Sequence, residues 1–211
     1  MFLAALALAA HLLANPVAVL PADVQIGVRY DSWTSDESKT NLADAVERAL
    51  DDWLAKHDRP IASEDLVQST VKDLKPHTLD KRPIPAFQDL AAKLSASTVV
   101  LVEIDRVDQK DKSPEDVLAN PSAPASDTKV DCRLWVYSAA ANAFTVSGAD
   151  RLSGDAPGHH FGTTDRHELS GSPDDVAFAI RQVNQKRMEM VGKAVLKAVQ
   201  AQLDAATMQR A

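Results

Sequence analysis

The densest group of chemistry-bearing side chains lies between residues 155 and 168. Asp155, His159, His160, Asp165, His167 and Glu168 follow one another closely there, among glycines. Histidine and carboxylate are the ligands that zinc and other transition metals take. Within the group His159 and His167 are the best-spaced pair, because the adjacent His160 would point elsewhere, and Asp165 supplies a third ligand. The spacing matches no His-Glu-x-x-His zinc-protease pattern. A Gly- and His-rich segment is also an ordinary exposed connection. The two expectations for it are therefore a metal site at His159, Asp165 and His167, or a plain loop.

Glu103 and Asp105 share one face of a strand-like stretch. They could act as an acid/base pair, although carboxylates so placed more commonly face solvent. Cys132 is the only cysteine, which excludes an intrachain disulfide or a multi-cysteine zinc site. It falls on the apolar side of an alternation and reads as a buried structural thiol. Trp135 and Tyr137 fall on the opposite side of the same alternation. They either pack under helices or form a partner-contact patch. The chain has no Gly-x-Ser-x-Gly elbow and no Gly-rich phosphate-binding loop. No catalytic residue and no cofactor are expected.

The elements that must carry these residues follow from periodicity. Val17-Ala18-Val19-Leu20-Pro21 reads as a short buried strand closed by proline. Leu42, Val46, Leu50, Trp53 and Leu54 fall on one helical face, with Ser38 or Thr40 as cap and Pro60 beyond the end. Ile61 marks a very short strand. Ser63 opens a second helix that carries Leu66, Val67, Val71 and Leu74. Pro85 opens a third, with Phe87, Leu90, Ala91 and Leu94 inward. The run from residue 97 to 108 is the clearest strand, central at Val99 to Val102 and alternating afterwards. Residues 109–127, with three prolines among polar side chains, read as an insertion loop. Residues 129–138 and 144–152 form a hairpin, and residues 154–173 a loop. A long helix over 174–206, capped by Ser172 with Pro173 at its first position, ends the domain. The order β-α-β-α-α-β-β-β-α predicts an α/β (α+β) fold: a mixed sheet of about five strands with helices packed on it and a long C-terminal helix.

The chain has 211 residues and a formal net charge of −7. That length suits one domain, and the acidic balance argues against nucleic acid as partner. Residues 1–14 are apolar but too short to span a bilayer. They fit a signal peptide that lacks a basic start, leaving a single domain over 15–206 that would be periplasmic or secreted.

The opening Val17-Ala18-Val19-Leu20-Pro21 strand, the segment Phe87-Gln88-Asp89-Leu90-Ala91-Ala92-Lys93-Leu94, the strand Ser97-Thr98-Val99-Val100-Leu101-Val102-Glu103-Ile104 and the final Ala/Val helix come in a telling order. In that order the chain resembles the curli-secretion-channel family and the related N-terminal domain of the Tol-system β-propeller protein. The resemblance implies a periplasmic α/β domain without catalytic residues. It also implies a protein partner in the cell envelope, and it admits a homo-oligomer. Departures are plain. Leu94-Ser95-Ala96 stands where the family has Leu-Gly-Ala, and Val102 where Gly often precedes the Glu. The lipid-anchoring cysteine is absent, and residues 109–127 are too polar for a membrane-spanning hairpin. The resemblance therefore implies the fold and no pore, and the mature chain has no expected transmembrane segment. The leading expectation is a non-catalytic cell-envelope accessory or assembly protein acting through protein–protein contact. The alternative is a metal-dependent hydrolase, or a metal- or small-ligand-binding domain, using residues 155–168.

Overall fold

A computed structural model describes residues 16–26, 36–75, 78–120, 124–162 and 164–208. The N-terminal apolar run lies outside the described residues. The chain builds an open mixed sheet with helices on both faces. Its elements are β1 (Val17–Val19), β2 (Asp23–Val24), α1 (Asp36–Lys56), α2 (Glu64–Lys72), α3 (Ile84–Lys93), β3 (Thr98–Asp111), α4 (Pro114–Ala119), β4 (Ser126–Ser138), β5 (Ala143–Ser147), β6 (Leu152–Gly158) and α5 (Pro173–Met208).

β3 and β4 form the antiparallel centre, in register from Thr98↔Ser138 to Asp111↔Ser126, with an irregularity between Ile104 and Arg106. β1 and β2 run parallel to β3 along its other side, pairing Val17↔Thr98 and Asp23↔Glu103. β5 and β6 both pair antiparallel with β4, β5 along its end and β6 along its start. Ile61 adds a parallel bridge to Val17, so the short strand expected there is a single bridge on the outer edge of β1.

The alternation of β3 and β4 sorts their side chains to two faces. Val100, Val102, Ile104, Val130, Cys132, Leu134 and Val136 meet Leu42, Val46, Leu50 and Leu54 of α1 and Val191, Val195, Val199 and Leu203 of α5. On the opposite face Val99, Leu101 and Tyr137 pack under Phe87 and Leu90 of α3 and Leu94 just past its end, with Val67 of α2 beside them. The run Val99 to Val102 is buried on both sides, as its unbroken apolar character predicts.

The structure differs from the sequence reading in three places. The 109–127 insertion is shorter than expected, because β3 and β4 extend into it and a helical turn closes their tip. Ser113 caps that turn, its Oγ accepting from the Asp116 amide at 3.2 Å. The extension's buried hydroxyls and the Gln109 amide nitrogen are bonded, while Gln109 Oε1 has no partner among the described residues. Gln109 Nε2 donates to Thr128 Oγ1 and to the Arg187 carbonyl, and Ser126 Oγ donates to the His159 carbonyl.

Second, the returning strand is two strands. Gly148, at φ +63°, breaks it after Ser147, and β6 then occupies what reads as loop. The glycine at 154 reads as a loop marker, yet it is a packing site. A Cβ there would stand 1.9 Å from the Ala194 carbonyl oxygen of α5. Third, α1 begins at Asp36, so Ser38 and Thr40 lie inside the helix and do not cap it. At α5 the expected cap is present: Ser172 Oγ accepts from the Asp175 amide at 3.3 Å.

Candidate functional site

His159, Asp165 and His167 do not form a ligand set. Among the described residues no group of three or more His, Cys, Asp or Glu side chains is placed to hold a metal ion. His159 contributes its backbone carbonyl to Ser126, and Asp165 Oδ1 accepts from the His167 amide at 2.9 Å, a local turn. The neighbouring His160 has a structural part. Its Nδ1 accepts from the Gly162 amide at 3.0 Å, while Asp111 Oδ1 accepts from the Phe161 amide at 3.0 Å. These bonds tuck Phe161 against α5, where the Arg187 guanidinium lies 5.6 Å from its ring centroid. Asp155 is in β6 and pairs with Lys197 of α5 at 3.0 Å.

Cys132 is fully buried, and that burial, with Asp105 and Asp131 nearby, pushes its thiol up to about 12. A thiol so disposed is not a nucleophile at neutral pH.

Trp135 and Tyr137 are not a surface pair. Phe87 of α3 needs their face of the sheet, so Tyr137 is fully buried and its hydroxyl donates to Asn142 Oδ1 at 2.8 Å. Phe144 stands edge-on to Phe87, Trp135 and Tyr137 at 4.9, 5.5 and 5.9 Å between centroids, a geometry aromatic rings favour. Trp135 is half-buried between the Arg82 guanidinium, 5.5 Å from its centroid, and the backbone of Gly148, where a Cβ would stand 2.2 Å from the indole. The partner-contact assignment for Tyr137 is therefore replaced by a core role.

Glu103 and Asp105 continue the aromatic face beyond the reach of α3, and they do not face open solvent. Their side chains are 14% and 12% exposed. Arg82, 8% exposed, spans Asp23 Oδ2 at 2.5 Å and Glu103 Oε2 at 3.0 Å. Arg133 reaches Glu103 at 3.4 Å and Asp105 at 3.3 Å, and Arg151 reaches Asp105 at 3.4 Å. Acids and arginines alternate in this chain of contacts, so its charge is compensated internally. Its shape joins three parts of the fold: β2, the segment before α3, and the β3–β4–β6 face. Arg82 adopts φ +50°, uncommon for a residue with a side chain, and its Nη1 also donates to the Leu79 carbonyl at 2.7 Å. Strand alternation could have flagged Glu103 and Arg133 as neighbours. Nothing in the Lys- and Pro-containing link before α3 signals that Arg82 turns inward.

A concave surface lies between α1 and α5. α5 approaches α1 at Gly192, where a Cβ would stand 2.7 Å from the Ala45 carbonyl oxygen and 3.1 Å from the Ala49 methyl. The small residues sink this seam into a groove of about 1020 Å³, lined by the half-buried Trp53 and Leu196 and by the largely buried Met188. Around it stand Glu37, Asp52 and Glu189 and the cations Arg48, Lys56, Arg181 and Lys193. None of these residues stood out in the sequence as functional, because each fits an ordinary amphipathic helix.

No family model and no curated protein matches the chain. Among solved structures it is similar to lipoprotein GNA1162 from Neisseria meningitidis, with 9% identity, 82% of this chain and 97% of that chain covered, and a TM-score of 0.44. It is also similar to the hypothetical protein CT253 from Chlamydia trachomatis, with 14% identity, 91% and 96% covered, and a TM-score of 0.43. The LpoB C-terminal domain from Salmonella enterica follows, with 8% identity, 68% and 83% covered, and a TM-score of 0.36. Likeness at this level assigns the chain to no family.

Proposed function

We propose that the chain is a non-catalytic accessory or assembly domain of the bacterial cell envelope that acts through protein–protein contact, with the α1–α5 groove as its contact surface. The observation that carries this reading is the make-up of the groove. Trp, Met and Arg are enriched where proteins meet, and an apolar centre inside a charged rim is the usual anatomy of such a surface. Trp53, Met188 and Leu196 supply the centre, and Arg48, Lys193 and their acidic neighbours the rim. The fitting partner is another envelope polypeptide that seats an apolar anchor against Trp53 and meets both charge signs around it. The net charge of −7 disfavours nucleic acid in that role.

The envelope location rests on the apolar run at residues 2–14 and on the sequence's resemblance to the curli-secretion-channel group. No helix among the described residues is long and apolar enough to cross a membrane. The test is a double charge reversal, Arg48→Glu with Lys193→Glu, both on exposed side chains. Recovery of a specific partner with the tagged protein from the envelope fraction should fall at least tenfold while the thermal midpoint stays put. Unchanged recovery with the double variant, or a tagged protein that stays in the cytosol with its first residues intact, would overturn the proposal.

A further inference from the structure

At the edge of the sheet, where β1 meets the bridge at Ile61, α2 leans on α1 through polar groups. Glu47 of α1 is 2% exposed, and its Oε2 accepts from Gln68 Nε2 of α2 at 2.9 Å. One turn on, Asp51 Oδ1 is buried with no hydrogen-bond partner among the described residues. The other titratable groups facing the pair are also acids, Asp44 and Asp52 on α1 and Glu64 at the start of α2. No salt bridge to Glu47, Asp51 or Glu64 is formed among the described residues. This contrasts with the sheet face, where every buried acid has an arginine.

We infer that the α1–α2 seam is a proton-operated latch: a neutral Glu47 holds α2 closed on the β1 edge, and its ionisation loosens α2. Geometry requires this direction. A carboxyl buried among carboxylates, with one amide donor and no ion pair among the described residues, favours its protonated form. Burial first, then the charges of Asp51, Glu64 and Asp44, raise Glu47 to about 7, against the pull of the Gln68 bond. Burial, then Glu64 and Asp52, raise Asp51 to about 6. What the latch covers is specific. α2 contributes Val67 to the core, and the residues leading into it pair with β1 through Val17 N to the Pro60 carbonyl and Ala62 N to the Val17 carbonyl. Loosening α2 therefore frees an apolar side chain and the cover of a strand edge, the part of a sheet most ready to pair with another chain.

Amide exchange in the full chain tests the latch, after correction for the intrinsic pH dependence of exchange. The opening constant of the α2 amides, residues 67–72, should rise on the order of 50-fold between pH 5 and pH 8, the ratio set by a carboxyl that titrates at about 4.5 when open and about 7 when closed. Glu47→Gln keeps the acceptor for Gln68 and should cut that rise at least fivefold, leaving no more than the roughly tenfold part that Asp51 can contribute. The α5 amides at 191–203 should not follow pH in either protein. A flat wild-type profile, or a rise that is undiminished in Glu47→Gln, overturns the inference. The carboxyl carbon shift of Glu47 gives a second reading that needs no variant. A midpoint in the ordinary glutamate range overturns the latch, and one near neutrality bears it out.

Discussion

Arg82 is the side chain on which the sheet face depends. It is nearly buried, it holds Asp23 and Glu103 together, and it lies over Trp135. Arg82→Met fills the space but leaves Asp23 without a cation among the described residues and Glu103 with Arg133 alone. The expected loss is about 2–4 kcal/mol in urea unfolding, below the full cost of breaking a fully buried pair because Asp23 is partly open to water. Glu47 gives the opposite sign. Its carboxyl is raised in the folded state, so the folded chain binds the proton more tightly than the unfolded one. That contribution is complete below pH about 4.5 and is lost as pH rises toward 7. Glu47→Gln should therefore match wild type near pH 4.5 and exceed it at pH 8 by on the order of 3 kcal/mol, read from urea midpoints at the two pH values. Only part of this was legible beforehand. Alternation puts Glu103, Asp105 and Arg133 on one face, but whether that face meets solvent depends on Arg82 and Arg151, which approach from distant parts of the chain. Helical periodicity puts Glu47 on the face away from the apolar stripe, and it does not reveal that α2 closes over it.

At the scale of elements, strong periodicity was a sound guide and small residues were a misleading one. α1, α3, β3 and α5 lie where apolar spacing puts them, since each buries a stripe long enough to dominate its local propensities. Most of β6 falls in the 154–173 segment that glycine and proline mark as loop. Those glycines exist because α5 presses on the strand, a tertiary cause that a local pattern cannot carry. A direct consequence is that Gly154→Ala and Gly192→Ala should both destabilise, although alanine favours regular structure over glycine at ordinary positions. Gly154 has the closer approach, backbone against backbone, and its variant should lose about 2–4 kcal/mol; Gly192→Ala should lose about 1–2 kcal/mol as α1 and α5 part. Thermal unfolding of both variants checks the ranking, and a stabilised Gly154→Ala would contradict the packing described here.

The whole molecule is a sheet with two unequal faces. α1 and α5 cover one face along most of its length. α2 and α3 cover only one end of the other, and the ion-paired cluster serves beyond them. Fold class and the long final helix were legible in the sequence, because both follow from element order. The contact groove was not, because it arises where two separate helices meet over Ala45, Ala49 and Gly192. Photo-crosslinking in cells puts that groove to the most direct test. A photoreactive side chain at Arg181 or Lys193 in the groove, and another at the exposed Lys129 on the sheet face, can be compared in otherwise wild-type protein. The account predicts one discrete protein adduct, formed from Arg181 and Lys193 and absent from Lys129. Adducts formed equally from all three positions, or from none in the groove, would contradict it.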